Sequence, residues 1–481
     1  MKSQSKALVH FGASIALIAS TGVAYAQMAS TRQSLPNAPS SHFIALVSAQ
    51  QRPDATPVNP DQPPAASSGG TDTRPKLTRS EAEQMAIKSN PRISVARLLA
   101  LAQHQVLREA KAAQLPTSTV SVTAVEAEDA SRISAGFLNS PSVFEHAGAG
   151  ANFTQLITDF GKTGNLVASS KLQERAQNAS AQATVNDIVI ATDQAFYNAL
   201  QAQALNRVAM QNVTTRQTTE SLVSELTRNK LKSTLDLSFA DVNLSQAKLL
   251  LLDAENNVHA SMAALDAVLG LDHEVTYDLV DDAPNAQAPP SDVNRLVQLG
   301  LKQRPDLQAL GFDQQAAVKY SHAQRDQMLP SIAAAGTVGS VPIRPPQYYV
   351  TNWWGAIGVN MNIPVFNGFL YSAQAKEATI RAQAAAERSR DLRDQIVRDI
   401  HTAWLAANTA YQRTSVTQQL LQQANLSLQL AQTRYQMGLS SIVELSQAQY
   451  QQTDAAIGNT NAEYQYRLAL AILDYQIGAT P

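Results

Sequence analysis

The 481-residue sequence predicts a mainly α-helical protein with a smaller membrane β portion, built twice from one plan: an opening helix, a β-hairpin and a long helical hairpin. Three observations predict it. The first is an internal repeat. Asn90-Pro91 recurs as Arg304-Pro305, and Gln114-Leu115-Pro116 as Met328-Leu329-Pro330, both at a spacing of 214 residues. Phe196 then corresponds to Trp404, Asp236-Leu237 to Glu444-Leu445, and Leu269-Gly270 to Ile477-Gly478, each at a spacing of 208. One insertion in the hairpin accounts for the change. The second observation is a pair of tracts, about 161–231 and 368–437, with no proline and hardly any glycine. The third is a strict alternation over 353–363, where Trp353, Gly355, Ile357, Val359, Met361 and Ile363 share one face.

In chain order, Lys2 and Lys6 precede the apolar stretch Phe11 to Val23, which ends at Ala24-Tyr25-Ala26. A basic start, a short apolar run and an A-x-A site make 1–26 a secretory signal peptide. Its removal leaves four more acidic than basic residues, so no cationic surplus exists to neutralise nucleic-acid phosphates. Cysteine is absent, which excludes disulfides, thiol nucleophiles, Cys-ligated zinc and a lipid-bearing N-terminal cysteine. Residues 27–75 are rich in Pro, Ala, Ser and Gln and lack the apolar content to order themselves. The first repeat then spans 76–271, a linker 272–291, and the second repeat 292–481.

Thr78 and Glu81 are spaced as a capping box that starts an opening helix, and Pro116 and Pro330 are expected to end the opening helices of the two repeats. The alternating stretch at 353–363 has the length of an oblique membrane β-strand, with a small, polar opposite face of Trp354, Ala356, Gly358, Asn360 and Asn362. Val120 and Val122, then Ala149, Ala151 and Phe153, give the equivalent strands of the first repeat, so each chain has two hairpins and four strands. About 70 residues of uninterrupted helix make a rod of about 100 Å. Ile188, Thr192, Ala195, Ala199 and Ala202 form a coiled-coil seam that Ile396, Ile400, Ala403, Ala407 and Ala410 repeat. After turns near Lys232-Ser233 and Gly438-Ser440 a second helix returns along the first.

Four strands cannot close a barrel, and lipid does not tolerate open sheet edges. An exported chain with such strands must therefore join other copies, in a strand total that is a multiple of four. No later segment contains 18 consecutive apolar residues, so no transmembrane helix is expected.

Asn362-Ile363-Pro364-Val365-Phe366-Asn367-Gly368, the turn Tyr435-Gln436-Met437-Gly438, Leu445-Ser446-Gln447-Ala448 and the two Leu-Pro marks resemble, in this order, the outer-membrane efflux protein (TolC) family. The resemblance covers about 77–480. It implies a homotrimer with a twelve-stranded barrel in the outer membrane and an α-helical tunnel in the periplasm. It also implies docking to a periplasmic adaptor and an inner-membrane pump, with no cofactor. Asp236 and Glu444 match the acidic ring that narrows the tunnel at its periplasmic tip. Tyr435 resembles a tyrosine that latches the tip; Ser440 stands where the latch arginine is expected, and Lys232 occupies the matching place of the first repeat. Tyr348, Tyr349, Trp353 and Trp354 suit an aromatic girdle at the membrane interface.

No H-E-x-x-H, G-x-S-x-G or Walker A string occurs, and the scattered histidines, His42, His104, His146, His259 and His401 among them, lack ligand-spaced companions. An enzyme is not expected. The competing class is a soluble periplasmic coiled-coil scaffold or adaptor, which has no reason to present Trp, Ile, Val and Met along one uninterrupted strand face.

Overall fold

Proline divides the opening of each repeat, in contrast to the expectation of a single opening helix. A computed structural model describes residues 76–126, 146–271, 277–281, 287–343 and 352–479. All belong to one unit, Asp72–Pro481. The signal peptide, the arm at 27–75, and Tyr348 and Tyr349 lie outside the described residues. Strand β1 (Lys76–Leu77) leads to helix α1 (Arg79–Ser89), where Thr78 and Glu81 form the expected capping box. Asn90, with φ −68° and ψ 124°, is extended because a proline follows it, and Pro91 opens a second helix, α2 (Pro91–Ala112). The opening helix is therefore two helices. It also stops at Ala112, short of Pro116.

Strands β2 (Thr117–Val125) and β3 (His146–Thr158) form the first hairpin. Two long helices follow, α3 (Lys162–Arg228) and α4 (Thr234–Leu269), and then the short strand β4 (Asp278–Leu279), which pairs in parallel with β1. The second repeat has the same order: α5 (Val293–Gln303), α6 (Pro305–Asp326), β5 (Ser331–Ile343), β6 (Trp353–Asn362), α7 (Leu370–Gln436) and α8 (Ile442–Gln476). Arg304 repeats the extended break before Pro305. The four long strands make one antiparallel sheet, ordered β2-β3-β5-β6. Both hairpins have the same register: Thr117 faces Thr154 and Val120 faces Ala151, as Ser331 faces Asn362 and Ala334 faces Val359.

The chain leaves the sheet through paired left-handed residues, Phe160 and Gly161 (φ 54° and 117°) and then Gly368 and Phe369 (φ 65° and 68°). Helices α3 and α7 each run 67 residues, which is about 100 Å. In α3 every seventh residue from Ala181 through Ile188, Ala195, Ala202, Ala209 and Arg216 to Val223 is buried, the spacing of a coiled-coil seam. Ala240, Ala247 and Ala254 of α4, and Ala448, Ala455 and Ala462 of α8, repeat it. Side chains this small let helices approach closely. Helix α4 packs on α3 and α8 on α7, while α6 lies between α3 and α7, and α8 also reaches α3. The main core gathers Ile93, Val189, Phe196, Leu265 and Leu269, and a second holds Ile396, Ile400 and Leu473. The linker is strapped to the second repeat: Trp404 Nε1 donates to the Pro290 carbonyl at 2.6 Å, Tyr466 donates to the Gln287 carbonyl, and Arg467 pairs with Asp281.

Candidate functional site: a two-faced wall and a helical tip

Two regions carry the residues picked out from the sequence. The first is the sheet. Register places Ser118, Phe153, Gly336 and Ile357 in one cross-strand row, and Val120, Ala151, Val338 and Gly355 in another row of the same face. The alternate rows are Thr119–Asn152–Thr337–Ala356 and Ser121–Gly150–Gly339–Trp354, with a hydrogen bond of 2.7 Å from Thr337 to Asn152. One face is apolar and the other small and polar. The apolar face is open among the described residues: Ile357 is 90% exposed, and Val120, Val122, Val359 and Met361 are also exposed. Trp353 stands on this face and Trp354 on the polar one, as alternation requires.

The second region is the tip, where the long helices turn. Ser233 caps α4, its Oγ accepting from the N–H groups of Leu235 and Asp236, while the Asp236 carboxylate accepts from the Ser233 N–H at 3.4 Å. Ser441 caps α8 by accepting from the Glu444 N–H. Both acids thus sit in first helical turns, where the dipole favours them. They differ in partners. Glu444 pairs with Arg434 Nε at 3.1 Å. Asp236 lies close enough to Tyr435 that, after burial, its charge is the second cause pushing that phenol's pKa up.

Tyr435 is the centre of the tip. It is fully buried among Val223, Ala431, Ile442, Leu445 and Ala448, and the Lys232 ammonium lies 4.7 Å from its ring centre. That cation–π contact joins the α3–α4 turn to the end of α7. The Tyr435 hydroxyl and Ser440 Oγ are buried without a hydrogen-bond partner among the described residues. Gly438, at φ 77°, makes the α7–α8 turn.

The structure adds cross-links that sequence reasoning missed. Arg216 Nη1 donates to Gln449 Oε1 at 2.6 Å, and Gln449 in turn donates to Thr219 at 2.8 Å, tying α3 to α8. Asn243 donates to Ser446, tying α4 to α8. Arg216 had a legible signal, since it interrupts a seven-residue line of apolar positions between Ala209 and Val223. Among the described residues, no group of side chains is placed to hold a metal ion and no helix is long and apolar enough to cross a membrane.

The family model for outer membrane efflux proteins matches residues 83–271 and 296–479, one segment in each repeat. Outer membrane protein TolC of Salmonella enteritidis is 24% identical over 122 residues, which is 25% of this chain and 25% of that protein. The crystal structure of VceC from Vibrio cholerae superposes with a TM-score of 0.71 at 20% identity, covering 83% of this chain and 96% of that one. The Campylobacter jejuni CmeC outer membrane channel gives 0.72 at 18% identity, covering 90% and 94%. These superpositions show the shared fold. The match across both repeats is what identifies the chain, which belongs to the outer membrane efflux protein family.

Proposed function

We propose that three copies of the chain form an outer-membrane conduit that passes small molecules or proteins outward from a periplasmic adaptor and an inner-membrane pump. The observation that carries this reading is the sheet: four membrane-length strands, one exposed apolar face, and two edges, β2 and β6, without a ladder partner among the described residues. Lipid accepts such a face but not such edges. The duplication supports one way for the edges to close. Pairing β6 of one copy with β2 of the next repeats the β3–β5 junction, so Thr154 opposite Ala335 becomes Asn362 opposite Ser121 of the neighbour. The helices are open in the same sense. Helix α6 is packed by α3 and α7, whereas α2 packs chiefly on α3 and leaves Val95, Leu98 and Val106 exposed. A head-to-tail ring supplies the missing neighbour, and three copies give a twelve-stranded barrel over a helical tunnel in the periplasm.

At the tip, Asp236 and Glu444 from each copy make the acidic constriction, and Lys232, Tyr435 and the Gly438 turn latch it. Arg434 tempers the charge of Glu444, which leaves Asp236 as the stronger cation-selective element. Trp353 on the apolar face, with Tyr348 and Tyr349, anchors the outer interface.

The test is the native mass of protein extracted in detergent from a fractionated outer membrane, corrected for bound detergent. About three chains is expected; a monomer found only in the soluble periplasm would replace the conduit with a scaffold. In planar bilayers, Asp236→Ala with Glu444→Ala is expected to raise single-channel conductance or relieve cation block. Unchanged conductance and block would remove the gate and leave the conduit.

A further inference from the structure

We infer that Trp354 lines the bore of the channel rather than the lipid interface, and that a floor of two glycines holds its indole flat against the wall. The inference rests on the conduit proposed above. Trp354 shares a cross-strand row with Ser121, Gly150 and Gly339, beside the row that holds Thr119, Asn152 and Thr337. When the opposite face takes lipid, this one faces the passage. The ring does not stand up from the sheet. It folds back over the neighbouring strand, where a Cβ on Gly339 would lie 2.6 Å from Trp354 Cζ2 and 2.7 Å from Cε2. Its edge reaches a third strand, since a Cβ on Gly150 would lie 3.5 Å from Cζ2. Trp354 is 45% exposed, so one side of the ring rests on backbone and the other stays open. Any side chain at Gly339 must displace the indole, and displacement away from the sheet carries it into the bore. Glycine there sets the width of the outer passage, and Trp354 is the residue whose position it controls.

Two measurements test this. In vesicles, a variant keeping only Trp354 (Trp353→Phe, Trp404→Phe) is expected to be quenched by aqueous acrylamide and not by lipids brominated on their acyl chains. The variant keeping only Trp353 should show the reverse. Quenching of Trp354 by brominated chains would overturn the assignment. In bilayers, with the tip opened by Asp236→Ala and Glu444→Ala, Gly339→Leu is expected to lower conductance below that of the parent. Adding Trp354→Ala should restore it, which separates the lifted indole from the bulk of the leucine. Equal conductance in Gly339→Leu, or a quadruple variant with Gly339→Leu and Trp354→Ala added to the opened tip that is still as low, would overturn the glycine floor. Should Gly339→Leu fail to assemble by mass, Gly339→Ala replaces it and is expected to lower conductance less, in the same direction. A wild-type protein that forms neither trimers nor pores would fail the conduit itself, and this inference with it.

Discussion

Arg216 is a cation inside a helical seam, and among the described residues its hydrogen-bond partners, Gln449 and Asn212, are neutral. Burial alone lowers its pKa. The second repeat places Ala424 at the same position, so the seam itself does not need an arginine. Arg216→Ala is expected to cost about 1–3 kcal/mol, because the buried Gln449 oxygen loses its donor. Arg216→Ala with Gln449→Leu should recover most of that, since well-packed apolar groups replace buried polar ones cheaply. Thermal melting by circular dichroism in detergent reads both, and a double variant less stable than the single one would refute the account. A second buried group titrates. Asp193 is 4% exposed, and burial, then hydrogen bonding to and repulsion from Glu83, push its pKa up to about 7, against Arg79 at 3.6 Å. Asp474 is the other acid facing it. A carboxyl raised in the folded state contributes stability that is complete below its unfolded pKa and is lost as pH rises through 7. Melting temperature should therefore fall between pH 5 and pH 8, and Asp193→Asn should flatten that fall; equal slopes would discard the assignment. Arg216 was legible as the break in its seven-residue line, and the acids of the tip as residues. Asp236 and Glu444 stand in first turns that the sequence marks, but Arg434 reaches Glu444 across a helical turn whose geometry no spacing rule gives.

Elements were more legible than side chains, because their signals are local. The two 67-residue helices follow from the absence of proline and from seven-residue spacing of small residues, which survives tertiary packing unchanged. The strands follow from alternation, since a residue's face depends only on its parity. Pro91 and Pro305 were visible as repeat marks, yet they open helices rather than interrupt one, and so the opening helix divides in two. The tip turn shows how far the repeats are equivalent. Lys230 (φ 58°) and Gly438 (φ 77°) occupy matching left-handed positions, one with a side chain and one without. For a residue with a Cβ this conformation costs about 1–2 kcal/mol. Gly438→Ala is expected to destabilise the second tip by about 1 kcal/mol, and Lys230→Gly to stabilise the first by up to a similar amount. Local amide exchange at the two turns compares them; equal protection before and after substitution would show that the strain is relieved elsewhere.

At the scale of the whole molecule, what the chain cannot encode locally is the number of its copies. The proposed head-to-tail neighbour rests on register and open faces, whereas the proposed number three rests on the family resemblance, because the angle between neighbours is set by packing over many residues. The absence of native cysteine makes the junction testable without background. Directly opposed strand residues have Cβ atoms about 5 Å apart, near disulfide range. Ser121→Cys with Asn362→Cys is expected to give covalent dimers and trimers on oxidation, with no larger species. Shifted controls such as Ser121→Cys with Asn360→Cys should link poorly, and a ladder beyond three would exclude a closed trimer. The length of α3 and α7 has a mechanical consequence. A helix of 67 residues without internal proline is a stiff lever. A rotation of about 3° at the sheet end of a rod of about 100 Å displaces the far end by about 5 Å, the width of a side chain. In the proposed conduit, a partner that grips only the turns would therefore reset the aperture through small tilts of the helices, and a substitution at the sheet would act on the tip from the opposite end.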